Sequence, residues 1–90
     1  MSIKIDIPSH FLPFTNDTKA VEVNGSTVAE CLNHLVKQFP RVEKVLLAES
    51  GELLGDIGIY VNGEDAYPDE LAKPVKDGDE LYILVIIASG

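Results

Sequence analysis

The group in this chain with the most distinctive chemistry is its last residue. Gly90 carries a free carboxylate that no internal position has, and Ala88 and Ser89 before it are also small. A tail of small residues on a firm base can enter a narrow site on another protein, and Gly90 is expected to be where the chemistry happens. Other candidates are weaker. His34 lies three residues after Cys31, a spacing at which two helical side chains could share a metal. Cys31, however, falls on an apolar stripe and reads as a small packed hydrophobe, and two ligands fall short of a structural zinc site. No metal site is expected. The pairs Glu64-Asp65, Asp69-Glu70 and Asp79-Glu80 lack the alternating ligand pattern of a calcium loop and read as a solvated face. No phosphate-cradling glycine loop or dinucleotide fingerprint occurs, so no cofactor is assigned to this chain.

The tail must be held by what precedes it. Leu81 to Ile87 is an unbroken apolar and aromatic run rich in β-branched residues, the signature of a central strand. If Leu81, Ile83 and Val85 face a core, then Tyr82, Leu84 and Ile86 face away, and Tyr60 on a neighbouring strand joins them. An apolar outer face on so small a domain is a patch that a partner should cover, so these four residues form the expected docking surface. A loop of the same chain or a second copy are the plainer ways to cover it.

The remaining elements follow from patterning. Ile3, Ile5 and Ile7 alternate with Lys4 and Asp6 in a half-buried strand that Pro8 ends. Residues 9–17 form a loop whose two phenylalanines and Leu12 tuck against the domain edge. Residues 19–23 make a second strand, and Asn24-Gly25 a turn. Thr27-Val28-Ala29-Glu30 has capping-box spacing and opens a helix with the apolar stripe Val28, Cys31, Leu32, Leu35, Val36 and Phe39; Pro40 stops it. Residues 42–47 add a short helical turn, and 49–56 a polar loop. Residues 57–61 make a third strand and Asn62-Gly63 a tight turn. An irregular connection over 64–79 ends at Asp77-Gly78-Asp79 and delivers the last strand. The pattern predicts a single α+β domain over residues 1–90 with a short tail at 88–90, a mixed, mostly antiparallel sheet packed on one main helix. With the last strand parallel to the first, it is a β-grasp, the ubiquitin-like architecture.

Charge narrows the partners. The net charge is −8, and it lies entirely in residues 49–80, where ten acids face only Lys73 and Lys76. Nucleic acid is disfavoured, while a protein with a basic surface would be steered toward the chain. No membrane span or secretory leader is read, and the single cysteine forms no internal disulfide, so a cytoplasmic location is the expectation.

The chain resembles the β-grasp sulfur-carrier proteins, which include the molybdopterin synthase small subunit and the thiamine-biosynthesis sulfur carrier. Ile7-Pro8 with Phe11-Leu12-Pro13-Phe14-Thr15, Gly25-Ser26-Thr27-Val28-Ala29-Glu30, Ile59-Tyr60-Val61-Asn62-Gly63-Glu64-Asp65 and Lys76-Asp77-Gly78-Asp79-Glu80 look most like the carriers for cysteine or homocysteine synthesis. The resemblance implies a protein cosubstrate rather than an enzyme. An activating enzyme holding ATP and magnesium would adenylate the Gly90 carboxylate, a sulfur donor would convert it to a thiocarboxylate, and a synthase would accept the sulfur for cysteine or homocysteine, molybdopterin or thiamine. Three residues beyond Ile87 reach about 10 Å, enough to enter such a site. The family ends in Gly-Gly, and here Ser89 replaces the penultimate glycine. That departure keeps open a ubiquitin-like binding module, or a synthase small subunit, without thiocarboxylate chemistry.

Overall fold

The computed structural model describes residues 2–86. Strand β1 (Ile3–Asp6) buries Ile3 and Ile5 and exposes Lys4, as its alternation requires. It pairs antiparallel with β2 (Ala20–Val23), Ile3 opposite Val23 and Ile5 opposite Val21. The connection between them is more ordered than the loop expected over 9–17. Residues Ser9–Phe14 form a 3-10 turn that buries Phe11. Thr15 is fully buried, and its hydroxyl donates to the Thr18 carbonyl at 3.0 Å. Leu12 and Phe14 pack against the core, and the Arg41 guanidinium sits 5.5 Å from the centre of the Phe14 ring.

Helix α1 (Val28–Gln38) begins where the capping spacing places it. The Thr27 hydroxyl accepts the Glu30 amide at 3.2 Å. The reciprocal arm differs from the expected box: the Glu30 carboxylate accepts the Ser26 amide and hydroxyl, at 2.7 and 2.9 Å. These bonds hold the Glu30 carboxyl below its usual range. Gly25 is needed here for proximity. A Cβ on it would stand 2.9 Å from both the Cys31 amide nitrogen and the Glu30 Cβ. After Phe39, Pro40 opens a 3-10 turn (Pro40–Val42) that runs into the short helix α2 (Glu43–Leu46), burying Val42 and Leu46.

Strand β3 (Ile57–Val61) turns through Asn62 (φ 52°) and Gly63 (φ 86°) into β4 (Glu64–Asp65). Two successive positive φ angles are the geometry of a tight hairpin, and Asn-Gly suits them. Strand β5 is Glu80–Val85. The five strands lie in the order β2-β1-β5-β3-β4. Strand β5 is thus central, parallel to β1 and antiparallel to β3. One sheet face carries Ile3, Ile5, Val21, Val23, Ile57, Ile59, Val61, Leu81 and Ile83, all buried with Val28, Cys31, Leu32 and Leu35 of α1. That is a β-grasp, a five-stranded mixed sheet on one main helix.

The connection over 64–79 is irregular but packed. Ala66 and Val75 enter the core, and residues 26–28 hydrogen-bond to residues 73–75 beside the start of α1. An Asp79–Asn62 clamp sets the entry to β5. Asp79 accepts the Asn62 side-chain amide at 3.0 Å and the Lys76 backbone amide at 2.9 Å, and Asn62 accepts the Glu80 amide at 2.9 Å. These bonds hold the Asp79 carboxyl below its usual range.

Candidate functional site

The face of the sheet away from α1 is built by the register of β3 and β5. Tyr60 stands opposite Tyr82, and Gly58 opposite Leu84. Alternation puts all of them on the side opposite the core. Tyr82 is 37%, Leu84 43% and Ile86 61% exposed, and Tyr60 is half-buried. Gly58 carries no side chain, and the space above it is taken by Ile86, whose Cδ1 would lie 3.6 Å from a Cβ placed there. Tyr60, Leu84 and Ile86 therefore form one apolar surface, extended toward β1 by Tyr82. Val85 faces the core side but is only half-buried, because the register of β1 on β5 ends at the pair Asp6–Tyr82.

The last described residue is held firmly in place. The Ile86 amide donates to the Asp56 carbonyl at 2.7 Å, extending the β3–β5 ladder by one bond. Ile87 and the tail residues Ala88, Ser89 and Gly90 lie outside the described residues.

The β1 side of this face is polar. Asp6 and Tyr82 are register partners, as are Lys4 and Glu80. Lys4 Nζ lies 3.6 Å from Glu80 and 4.0 Å from Asp6. Burial, together with the neighbouring Glu80 carboxylate, raises the Asp6 carboxyl above its usual range. The neighbouring Asp6 carboxyl and Tyr82 hydroxyl hold Glu80 below its own. The Tyr82 hydroxyl is raised, first by its bond to Glu80. The apolar surface thus ends at a small network of carboxyls and one lysine.

Cys31 and His34 do not come together as ligands. Cys31 is fully buried, and burial pushes its thiol up to about 11. His34 Nδ1 accepts the Asn24 amide at 2.8 Å and is occupied in joining β2 to α1. Among the described residues, no three His, Cys, Asp or Glu side chains gather as a metal site would need.

Reading the sequence missed one feature. A groove of about 590 Å³ adjoins the apolar surface, beneath Tyr60, Leu84 and Ile86. Leu53 and Leu54, from the segment read as a polar loop, line it together with exposed Tyr67. Two adjacent leucines were the available signal, since a loop that carries them must pack them somewhere. Leu53 is fixed by a bridge to Leu47, and the Leu54 amide donates to the Leu46 carbonyl at 3.1 Å. Among the described residues, no helix is long and apolar enough to cross a membrane.

Comparison with known proteins agrees with this geometry. The ThiS family model matches residues 5–90. Small archaeal modifier protein 1 of Haloferax volcanii is 34% identical over 74 residues, covering 81% of this chain and 82% of the relative. A chain in the crystal structure of the Amycolatopsis orientalis BexX/CysO complex superposes with a TM-score of 0.88 at 34% identity, covering 98% of this chain and 99% of that one. Mycobacterium tuberculosis CysO gives 0.85 at 30% identity, covering 94% and 99%. With the family model matched from β1 through residue 90, this chain belongs to the ThiS family of ubiquitin-like sulfur carriers.

Proposed function

We propose that this chain is a protein cosubstrate whose Gly90 carboxylate is activated and then loaded with sulfur. The observation that carries this reading is the family match running through residue 90, behind a strand whose outward residues present a continuous apolar face. The chemistry resides on partners. In an activating enzyme holding ATP and magnesium, a Gly90 carboxylate oxygen attacks the α-phosphorus of ATP and pyrophosphate leaves. Sulfur at the sulfide level, as hydrosulfide, then attacks the acyl carbon, AMP leaves with the former carboxylate oxygen, the S–H proton goes to solvent, and a thiocarboxylate remains. An acceptor synthase takes that sulfur, with cysteine or homocysteine synthesis the destination that the resemblance of this chain's motifs implies.

The chain's own part is positional. Its core fixes β5, the Asp56–Ile86 bond fixes the root of the tail, and Tyr60, Tyr82, Leu84 and Ile86 supply the docking area. Glycine at 90 leaves the reactive carbon unencumbered. Ser89 adds a side chain where the family has glycine, so the cognate channel needs room for a hydroxymethyl group. The test is incubation with the activating enzyme, ATP and a sulfur source, followed by intact mass measurement. One oxygen should be exchanged for sulfur, and deletion of Gly90 should abolish the change. An exchange that persists in the deletion contradicts the reading.

A second reading is favoured by the likeness to small archaeal modifier protein 1, in sequence and in solved structure. A modifier would use the same activated Gly90 to form an amide bond with a lysine of another protein, and a mass increase on that protein distinguishes it. A pure binding module would instead survive removal of Ser89 and Gly90 and lose its partner when Leu84 is charged.

A further inference from the structure

The groove shares Tyr60, Leu84 and Ile86 with the outer face and adds charge along its edge. Its apolar wall is made by Leu53, Leu54, Tyr60, Leu84 and Ile86, and its charged lining is Glu52, Asp65, Asp69 and Glu70. Among the described residues no Lys or Arg lines it. Its volume of about 590 Å³ lies within the range of small-ligand sites and admits more than one side chain. An apolar floor inside a single-sign rim specifies its occupant. Purely apolar segments would leave the acids without counter-charge, and acidic ones would be repelled. A second copy of this chain is disfavoured for the same reason, since each copy carries −8 and brings its own acids to the contact.

We propose that this groove receives a segment of the partner protein in which apolar side chains are flanked by lysine or arginine. The apolar side chains would seat against Leu53, Leu54 and Leu84, while the cations pair with Glu52, Asp69 and Glu70 at the rim. This rests on the reading that the outer face docks a partner, and it adds that partner's chemistry. It also gives the uneven charge of the chain a role: the excess acids guide a basic surface toward the root of the tail. Asp65 is already engaged, its carboxylate accepting the Tyr67 amide at 2.9 Å. Glu52 and Asp69 are exposed and make no side-chain hydrogen bond among the described residues, so reversing them tests the rim without disturbing the fold.

The test is a titration of the isotope-labelled full chain with two synthetic peptides at low salt, followed by amide NMR shifts. One peptide is acetyl-Lys-Leu-Leu-Lys-amide and the other acetyl-Glu-Leu-Leu-Glu-amide. The basic peptide should move the amides of Leu53, Gly58 and Leu71 and bind at least about fourfold more tightly than the acidic one. In the double variant Glu52→Lys with Asp69→Lys, that preference should fall away or invert, with the urea midpoint unchanged. Added salt should narrow it in the wild type. Equal response to both peptides, or shifts confined to other surfaces, would overturn the proposal. The titration uses no activating enzyme, so its failure leaves sulfur loading at Gly90 standing, and a failure of sulfur loading leaves the groove standing.

Discussion

Replacing Leu84 separates docking from folding, and its size can be worked from the structure. Leu84 keeps 43% of its surface exposed in the free chain. Burying a whole leucine is worth about 1.5–3 kcal/mol. A partner that covers what remains therefore gains about 0.6–1.3 kcal/mol, which is roughly three- to ninefold in affinity. Leu84→Ala should raise the KM of this carrier by up to that factor in ATP–pyrophosphate exchange with its activating enzyme, with kcat retained. Leu84→Asp should do more, at least about tenfold, because a carboxylate must then lose its water at the centre of the contact. The rest of Leu84 is already covered in the free chain, so by the same reckoning folding should lose up to about 0.9–1.7 kcal/mol, less than would unfold a typical domain. The urea midpoint measured alongside is the control. An unchanged KM in Leu84→Asp, with the fold intact, would refute the assignment of this face to docking.

Two further outcomes are expected. Gly25→Ala drives a Cβ to 2.9 Å from the Cys31 amide nitrogen, a backbone atom that cannot swing aside, and should cost about 1–3 kcal/mol in urea unfolding; a loss below about 0.5 kcal/mol would contradict the close approach. Asp6 has its carboxyl raised in the fold, so its contribution to stability is complete below the usual aspartate range and is lost as pH rises through the raised value. Asp6→Asn, which does not ionise, should therefore be more stable than wild type at pH 7 and lose that advantage toward pH 3, and urea midpoints across pH that differ by a constant would show the account of Asp6 to be wrong.

How much was legible in the sequence depended on whether one force dominated locally. Ile3, Ile5 and Ile7 alternate against Lys4 and Asp6 because one face meets a core and the other water, so β1 could be read directly. The Thr27–Glu30 spacing located the start of α1 for a similar reason, since exposed amides at a helix end need acceptors. Its reciprocal arm reached Ser26 rather than Thr27, a choice of one residue that spacing does not encode. The 3-10 turn over Ser9–Phe14 was hidden because Phe11 and Thr15 are buried by distant elements and show no local period. The same holds for Leu53 and Leu54, whose partners come from α2 and the outer face. Gly25 was read as a turn residue, and its closeness to Cys31 exists only once the helix is folded back over it. The apolar outer face was the most legible part of the candidate site. A central strand apolar on both faces exceeds what one helix can cover, and Tyr82, Leu84 and Ile86 are the surplus.

The central claim concerns Gly90, and the most direct measurement is intact mass spectrometry of the protein isolated from its native source without reducing or acidic treatment. The account predicts a population in which one carboxylate oxygen of Gly90 is replaced by sulfur, located by fragmentation to the terminal residue. A chain found with Gly90 as an ordinary carboxylate under conditions where the sulfur-accepting pathway is active, and with no acyl bond to another protein, would contradict it.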